Sequence, residues 1–408
     1  MLVLVPVAVA RAATPTHDPL ALRSAQRRVA DLLQQAYVFV GGGSGVVVSP
    51  QGEVLTNHHV AGGQTGWRVR FHDGRNYAAT LVATDPVGDL TLLQIQPEPD
   101  EQLPPLDHVE LASQADLRLG MRVFAIGNPF DLGDVDNTPS VSQGILGAAG
   151  VVRGTYTDCI QVDAPLNPGN SGGPLLDIEG RLLGINGQIR TRTGMRINSG
   201  IGLAISCRAL AVFLPALRDA PGRYVSRTAA PAGLELEIAP TGVRVAAPGT
   251  AADKLAARDL LLRVAGRRVH SVAEAEGCFA DRPWHAGATI TVTVERDGQQ
   301  HEFALPAGRL PIPGSAAHGL QFTASTWHDE NGTRQRCQKV EAVAPGSPAA
   351  RAGVTVGARV ISIEGRAIRS ALDIYRALRD KQIGDRVTLE LADPEGEERT
   401  VELYLEPG

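Results

Sequence analysis

Residues 162–187 read VDAPLNPGNSGGPLLDIEGRLLGING, and the kind of fold follows from this stretch. Two apolar runs, PLLD and RLLGING, are bounded by Gly, Asn and Asp, which is typical of short β-strands joined by tight turns. Between them lies NPGNSGGP, where glycines on both sides of Ser171 permit a sharp turn that exposes a hydroxyl and brings backbone N–H groups close to a substrate. Taken alone, such a segment is more often a plain glycine-rich turn.

The same strand pattern recurs between residues 38 and 206. The runs are VFV, GVVVS, EVLTN, WRVRFH, LTLLQI, RVFAIG, CIQVDA and GIGLAIS. Because so many strands follow one another without helices, we expect antiparallel barrels or a sandwich. Helical spacing is predicted at the two ends of this region, over Leu20–Tyr37 and Cys207–Asp219.

Composition supports a β-rich, multidomain protein. The 408 residues include 45 Gly and 27 Pro but only 4% aromatics, which favours short strands and turns, and 43% hydrophobic residues suffice for several cores. A net charge of −5 gives no basic face for a nucleic-acid partner. No run is long and apolar enough for a membrane-spanning helix, so no membrane partner is expected.

The first residues resemble part of an export signal. The apolar run Leu2–Ala10 is followed by small residues, although no Lys or Arg precedes it. We therefore expect an exported, periplasmic protein with a signal segment over residues 1–19. The four cysteines are either buried free thiols or, in an exported protein, include a Cys159–Cys207 disulfide, and sequence leaves both open.

A histidine and an aspartate complete a set with Ser171. In TNHHV, residues 56–60, the imidazoles follow an apolar strand, and adjacent histidines are poorly placed to ligate one metal. In DPVGDLTLL, residues 85–93, Asp89 directly precedes an apolar strand, although alone it is explained as a turn acid. Serine, histidine and aspartate are the groups that peptide hydrolysis by a hydroxyl requires.

Together these motifs resemble the HtrA (Deg) family, which carries T-N-x-H-V, D-x-A/T-L-L and G-N-S-G-G-P/A in this order. The resemblance covers most of the chain after residue 37, including GSGVVVSPQGEVLTNHHV, FAIGNPF and VSQGILGA. It implies a mainly β fold, with a trypsin-like double antiparallel β-barrel followed by two PDZ-like β-rich domains with short helices.

The resemblance also assigns roles. It makes Ser171 the nucleophile, His59 rather than His58 the general base, and Asp89 rather than Asp85 the orienting acid. The N–H groups of Gly169 and Ser171 are expected to form the oxyanion hole. No metal and no organic cofactor is expected.

The substrate pocket is predicted to be lined by segments that follow the serine. Its residues are Ile185, Asn186, Gly187, Ser199, Gly200 and Ile201. Because they include no acidic residue, we expect cleavage after small or branched apolar residues. The basic run Arg190–Arg196 is predicted to be a solvated loop, or, by the resemblance, a mobile activation loop.

Two weak internal repeats follow residue 230. In the second, Gly319, Leu320, Gln321 and Phe322 resemble the PDZ loop that binds a peptide C-terminus, with the helix Ala371–Arg379 as the other wall; the alternative is a spacer. The first repeat departs from the PDZ pattern and places Glu235 in the corresponding loop, where like charge opposes a carboxylate. Its fold is expected to survive, and its ligand binding stays open.

The resulting division of the chain has six parts. They are a signal segment over 1–19, a protease domain over 20–219, a linker over 220–232, a degenerate PDZ-like domain over 233–306, a linker over 307–317 and a PDZ domain over 318–408. The family's long loop ahead of the histidine strand is absent, so higher assemblies braced by it are in doubt. The resemblance implies a homotrimer packed through the protease domains.

The function expected from these signals is ATP-independent endopeptidase activity on unfolded or damaged exported proteins, with PDZ domains that read peptides or protein C-termini. One alternative is a holdase chaperone or peptide-binding regulator with little proteolysis. Another is a scaffold with an inert barrel. The complete His59, Asp89 and Ser171 set argues against both, since a pure binder gains nothing from it.

Overall fold

The structure, a computed structural model, describes residues 24, 27, 29, 31, 35–63, 66–98, 102–153, 156–189, 199–220, 223–312, 316–328, 331–378 and 381–407. The signal segment and the run Arg190–Arg196 lie outside these residues. The predicted N-terminal helix is supported at the five described positions from Ser24 to Gln35. It ends earlier than predicted, because Tyr37 already belongs to the first strand.

Twelve of the described strands form two closed barrels, in which all strand pairs are antiparallel. The first barrel contains β1 Tyr37–Val40, β2 Gly43–Val47, β3 Glu53–Thr56, β4 Gly66–Phe71, β5 Asn76–Asp85 and β6 Leu90–Gln96, in the order β1-β2-β3-β6-β5-β4. The second contains β7 Arg122–Gly127, β8 Ser140–Arg153, β9 Tyr156–Val162, β10 Pro174–Leu176, β11 Leu182–Ile189 and β12 Gly202–Ser206, in the order β10-β11-β12-β9-β8-β7. Of the two folds that the strand pattern left open, the barrels are therefore the correct one.

The barrel strands that the apolar runs predicted are present, but two further strands were not predicted. Strand β5 contains three alanines and begins with Asn, and β8 contains three glycines, and these residues are depleted in strands. Strand β8 is 14 residues long and is interrupted by register shifts that follow Leu146, Ala149 and Val151. Such bulges bend a strand, which helps β8 to pair with both β7 and β9 around the barrel.

Two helices belong to this part of the chain: α1 His58–Ala61 and α2 Cys207–Arg218. Helix α2 begins where the Ser206 side chain accepts a hydrogen bond from the Ala209 N–H at 3.1 Å. Its residues Leu210, Phe213 and Leu217 are fully buried in a core cluster that contains side chains of both barrels. Each such side chain stabilises the fold by about 1.5–3 kcal/mol through burial of apolar surface.

The rest of the chain repeats one sheet design. The first copy contains β14 Leu234–Ala239, β15 Gly242–Pro248, β16 Leu260–Val264, β17 Arg267–Arg268, α3 Val272–Phe279, β18 Thr289–Arg296 and β19 Gln299–Pro306. The second contains β22 Leu320–His328, β23 Arg334–Val343, α4 Pro348–Arg351, β24 Arg359–Ile363, β25 Arg366–Ala367, α5 Ala371–Leu378, β26 Arg386–Ala392 and β27 Glu398–Tyr404. The strand orders β14-β15-β16-β18-β19 and β22-β23-β24-β26-β27 correspond one to one, so the weak sequence repeat encodes a repeated fold.

Short strand pairs close the two copies. They are β13 Arg227–Ala229 with β20 Gly308–Leu310, and β21 Ala316–Ala317 with β28 Glu406–Pro407. The predicted domain boundaries fall close to these pairs and stay a prediction.

The first copy is docked on the second barrel through hydrogen bonds and close packing. Arg267 donates to the carbonyls of Thr157 and Gly150 at 3.1 and 3.0 Å. On α3, Gly277 lies against Val152 of β8, where a Cβ on the glycine would approach the valine to 2.7 Å. This copy therefore uses its helix for packing against the barrel.

A buried arginine connects the docked copy with the first barrel. Arg227 is 2% exposed and donates through Nε to Asp85 Oδ2 at 2.7 Å and through Nη1 to Thr157 Oγ1 at 2.9 Å. The same Nη1 donates to the carbonyl of Ala280 at 3.2 Å, directly after α3. Its guanidinium lies 3.9 Å from the ring centroid of Phe213 on α2. One cation is thus shared by four parts of the molecule.

Helices in the described part of the chain are all too short or too polar to cross a membrane. The cysteines are free and buried, so a Cys159–Cys207 disulfide, which the sequence left open, is not formed. Burial raises the pKa of the Cys207 thiol to about 11, which makes this thiol unreactive in the folded protein.

We predict that the native protein resists alkylation at its cysteines. After denaturation without any reductant, iodoacetamide should add to all four, because no cystine has to be opened first. Intact mass spectrometry counts the adducts. Only two adducts under these conditions would show that a disulfide exists and would contradict the structure.

Candidate active site

The first barrel brings His59 and Asp89 into direct contact. Helix α1 turns away from β3 immediately after Asn57, and Asp89 lies at the start of β6. His59 Nδ1 is 2.8 Å from Asp89 Oδ2, and the His59 backbone N–H donates to Oδ1 at 2.9 Å. Asn57 Nδ2 donates to the Asp89 carbonyl at 3.0 Å. The carboxylate therefore holds the imidazole through Nδ1 and leaves Nε2 for a reacting group.

The neighbouring candidates, His58 and Asp85, face other partners. His58 Nδ1 is 2.8 Å from Thr84 Oγ1, and burial lowers the pKa of His58, which keeps this imidazole neutral. Asp85 is fully buried and is paired with Arg227 at 2.6 Å. The structure thus separates two adjacent histidines and two nearby aspartates that sequence spacing alone does not distinguish.

Ser171 lies on the turn between β9 and β10, in the second barrel. Its carbonyl accepts from the Ser44 N–H at 2.9 Å, which ties the turn to the first barrel. Its hydroxyl donates to the carbonyl of Gly187 at 3.1 Å. Since a hydroxyl has one hydrogen, it does not donate to His59 in this state, and rotation of the side chain is needed before proton transfer to the imidazole.

The amides of Gly169 and Ser171 are available as donors. Within the described part of the chain, neither N–H has a hydrogen-bond acceptor. The carbonyl of Pro168 accepts from the Phe130 N–H at 2.8 Å, and the Gly169 carbonyl accepts from Ser44 Oγ at 2.8 Å. Because the peptide between Pro168 and Gly169 is trans, its N–H points away from Phe130. The turn is therefore pinned through its carbonyls while two of its N–H groups stay unpaired.

The predicted pocket residues fall into two groups. Gly187, Ser199, Gly200 and Ile201 are partly or fully exposed. The side chains of Ile185 and Asn186 are 0% and 1% exposed, and the Asn186 amide donates to the carbonyls of Ile126 and Pro174 at 3.2 and 3.1 Å. Because these two side chains have no accessible surface, any contact with a substrate would have to come from their backbone, and their place in the pocket stays a prediction. They support the strand beneath it.

Tyr156, the first residue of β9, was not predicted to belong to the site. Its hydroxyl donates to Asp89 Oδ2 at 2.5 Å, and the side chain is 2% exposed. Burial, followed by the charge of Asp89, raises the pKa of Tyr156, so the phenol keeps its proton. The one signal in the sequence is a tyrosine at the start of an apolar strand, since a buried phenol needs a hydrogen-bond partner.

The predicted PDZ loop lies at the start of β22, which is an edge strand paired only with β23. A free edge of this kind accepts an added peptide strand. The Leu320 N–H donates to Nδ1 of His318 at 3.0 Å, and the His318 carbonyl accepts from the Ala349 N–H. In the first copy the corresponding edge strand is β14, and its Glu235 is exposed to solvent.

Comparisons with known proteins agree with this architecture. A trypsin-like peptidase domain model matches residues 43–185, a PDZ domain model matches residues 339–393, and a Peptidase S46 model matches residues 10–66. The probable periplasmic serine protease do/HhoA-like of Haemophilus influenzae is 31% identical over 83% of this chain and 74% of its own length. The periplasmic serine endoprotease DegP of Escherichia coli K12 is 29% identical over 85% of this chain and 74% of its own. The structure of the HtrA-type protease AlgW with a tripeptide matches with a TM-score of 0.56 and 30% identity, over 70% of this chain and 98% of that one.

A closed pair of antiparallel barrels, with an aspartate–histidine pair in one and a serine on a glycine turn of the other, defines a serine endopeptidase of the trypsin-like class. Within that class the chain belongs to the HtrA (Deg) family, and it carries a PDZ domain after the protease barrels.

The turn at Ser171 should not tolerate a side chain at Gly169. This residue has φ +96°, and a Cβ would lie 1.9 Å from the Asn128 carbonyl oxygen. Gly120 is a matched control, because it has φ +81° but open space around a Cβ. We predict that Gly120→Ala costs about 1 kcal/mol of unfolding free energy and that Gly169→Ala costs on the order of 2 kcal/mol more.

Denaturant unfolding followed by circular dichroism measures both changes. Gly169→Ala should also lose peptidase activity, since the turn must move to relieve the clash. Equal destabilisation by the two variants would mean that the Asn128 contact does not constrain the turn.

Proposed function

We propose that Ser171 is the nucleophile, His59 the general base and Asp89 the orienting acid of this endopeptidase, and that Gly169 and Ser171 supply the oxyanion hole. One observation carries the proposal: Asp89 holds the imidazole of His59 through Nδ1, and the turn of Ser171, which has two unpaired amides, is hydrogen-bonded to Ser44 of the same barrel as His59. This is the set of parts that acyl transfer from a peptide needs.

The reaction follows from this arrangement. After rotation of its side chain, Ser171 attacks the scissile carbonyl while His59 Nε2 takes the hydroxyl proton. The oxyanion that forms is stabilised by the amides of Gly169 and Ser171, and each such donor contributes about 3 kcal/mol. His59 then gives its proton to the leaving amine, and water resolves the acyl-enzyme by the reverse steps. No step requires a metal or an organic cofactor.

The proposed substrates are unfolded or damaged exported polypeptides. An extended chain can pair with backbone groups near Gly187 and, through its C-terminus, with the edge of β22. Several relatives are named as periplasmic proteases, which favours an exported, periplasmic location for this chain. A homotrimer packed through the barrels is part of the same proposal and can be tested by light scattering.

A second candidate function is that of a holdase or peptide-binding regulator. It is favoured by the Ser171 hydroxyl, which donates to Gly187 rather than to His59. A fluorophosphonate probe distinguishes the two functions, with Ser171→Ala as the control. An enzyme is labelled, at least once unfolded protein is added, whereas a pure binder is never labelled.

We predict that the wild-type protein cleaves casein and that Ser171→Ala lowers the rate by at least about a thousandfold, because no other nucleophile lies on the turn. Mass spectrometry of the peptides from the same digest identifies the residues after which the protein cleaves. None of the six residues predicted to line the pocket is acidic, so we expect cleavage after Val, Ala and similar residues. Predominant cleavage after Arg or Lys would contradict the proposed pocket.

The loop at Gly319–Phe322 is proposed to bind peptide C-termini, and its affinity should depend on pH. The Leu320 N–H is occupied by neutral His318, whose pKa is lowered by burial. Below that lowered pKa, Nδ1 carries a proton and cannot accept, so acidification frees the N–H and adds a positive charge beside the peptide carboxylate. We therefore predict tighter binding at pH 5 than at pH 7.5, by roughly 2- to 10-fold.

Fluorescence polarisation with a labelled peptide ending in a free carboxylate measures this change. His318→Asn is the control, because an amide oxygen can accept the same hydrogen bond but does not titrate. The control should bind with nearly constant affinity across the range. An identical pH dependence in both proteins would remove His318 from the explanation.

A further inference from the structure

The hydrogen bond between Tyr156 and Asp89 crosses from one barrel to the other. Asp89 directly precedes β6 in the first barrel, and Tyr156 begins β9 in the second. On the carboxylate, His59 occupies Oδ1 through its backbone N–H and shares both oxygens through Nδ1, while Tyr156 occupies Oδ2. The tyrosine is thus the only donor to this carboxylate, among the described residues, that lies outside the histidine itself.

The position of the phenol depends on a missing side chain. Gly187 lies beside Tyr156, and a Cβ on this glycine would be 2.2 Å from the hydroxyl oxygen and 2.9 Å from two ring carbons. Gly187 has no positive φ, so its backbone does not require glycine. A side chain at this position is therefore excluded because it would occupy the space of the Tyr156 hydroxyl, and not because of the backbone conformation.

The elements that carry the two partners are also tied to each other. Arg227 donates to Thr157, the neighbour of Tyr156, at 2.9 Å and to Asp85, at the start of the loop that leads to Asp89, at 2.7 Å. Asp85 Oδ1 in turn accepts from the Gly88 N–H at 2.8 Å. The segments that carry the phenol and the carboxylate are therefore both bonded to one buried ion pair, Arg227 with Asp85.

We propose that Tyr156 is a positioning residue for the carboxylate of Asp89 and that Gly187 lacks a side chain so that the tyrosine hydroxyl can occupy this place. The inference rests on the proposed role of Asp89. The phenol fixes Oδ2, so that the carboxylate presents a constant face to His59 Nδ1. It also withdraws charge from the carboxylate and thereby limits how strongly the imidazole attracts a proton.

A purely structural role for Tyr156 predicts different behaviour. If the ring only fills space between the barrels, Tyr156→Phe should change neither the rate nor its pH dependence, because the ring is kept. The neighbouring titratable groups stay unchanged in this variant. They are His58 and His59 on α1, Asp85 at the end of β5, Arg227 beside Gly88, and Cys159 on β9.

Tyr156→Phe is expected to lower kcat by about 10-fold or more, with KM within about twofold, since a hydrogen bond to a charged group is lost but no substrate contact. The acidic limb of the kcat/KM profile should move to higher pH. Without the phenol the carboxylate carries more negative charge, so the imidazole of His59 holds a proton more strongly. Tyr77→Phe is the matched control. Tyr77, on β5 of the first barrel, is half-buried and packs edge-on against Phe71 with ring centroids 5.8 Å apart, so its variant should behave as wild type.

A second set of variants tests whether a side chain at position 187 can take the place of the tyrosine hydroxyl at position 156. Gly187→Ser alone should be nearly inactive, because its Cβ collides with the phenol. Tyr156→Val alone should lose the hydrogen bond to Asp89 as Tyr156→Phe does and should also be less stable, because it leaves a cavity where the buried ring was. In the double variant the serine hydroxyl, one bond beyond Cβ, falls near the position of the lost phenol oxygen. We expect the double variant to be several-fold more active than either single variant.

The outcomes are separable. If wild type shows no turnover that depends on Ser171, the proposed function fails before this inference is tested. If wild type is active and Tyr156→Phe keeps its rate and pH profile, the inference is overturned. A lower rate without a shifted profile, together with a double variant no better than the singles, also overturns it, because that result describes packing alone. Fluorophosphonate labelling and thermal unfolding verify that each variant is folded.

Discussion

The carboxylate of Asp89 is the point at which the two barrels and the candidate active site are joined. It is nearly buried, its backbone has φ 60°, and it accepts hydrogen bonds from His59 in one barrel and Tyr156 in the other. A left-handed conformation at a non-glycine residue costs of order 1 kcal/mol and persists only where surrounding contacts impose it. Here those contacts are the ones that hold the imidazole of His59 through Nδ1.

Arg227 connects the barrels with the first PDZ-like copy. A buried cation is costly unless each of its donors is paired, and Arg227 meets this demand with Asp85, Thr157 and Ala280. Ala280 belongs to the first PDZ-like copy, so correct folding of the catalytic loop and docking of that copy are favoured by the same side chain. A variant that disturbs this docking is therefore expected to displace the loop that carries Asp89.

The two repeated sheets have the same strand order but different surroundings. In the first copy, α3 packs on the second barrel and Glu235 occupies the edge strand, which suits a bracing element. In the second, β22 keeps a free edge beside a loop whose amide is held by His318. The difference supports a division of labour in which the first copy is structural and the second reads peptides.

The sequence by itself determined most strands of the barrels, helix α2 and the glycine turn of Ser171, because these depend on local periodicity and on backbone demands within a few residues. It did not determine β5 and β8, whose Ala- and Gly-rich sequences become strands through pairing with distant neighbours. Nor did it separate exposed from buried pocket residues, since Ile185 and Asn186 face inward only after the second barrel closes. Tyr156 was out of reach for the same reason: its partner lies 67 residues away, and only the packing of one barrel on the other brings phenol and carboxylate together.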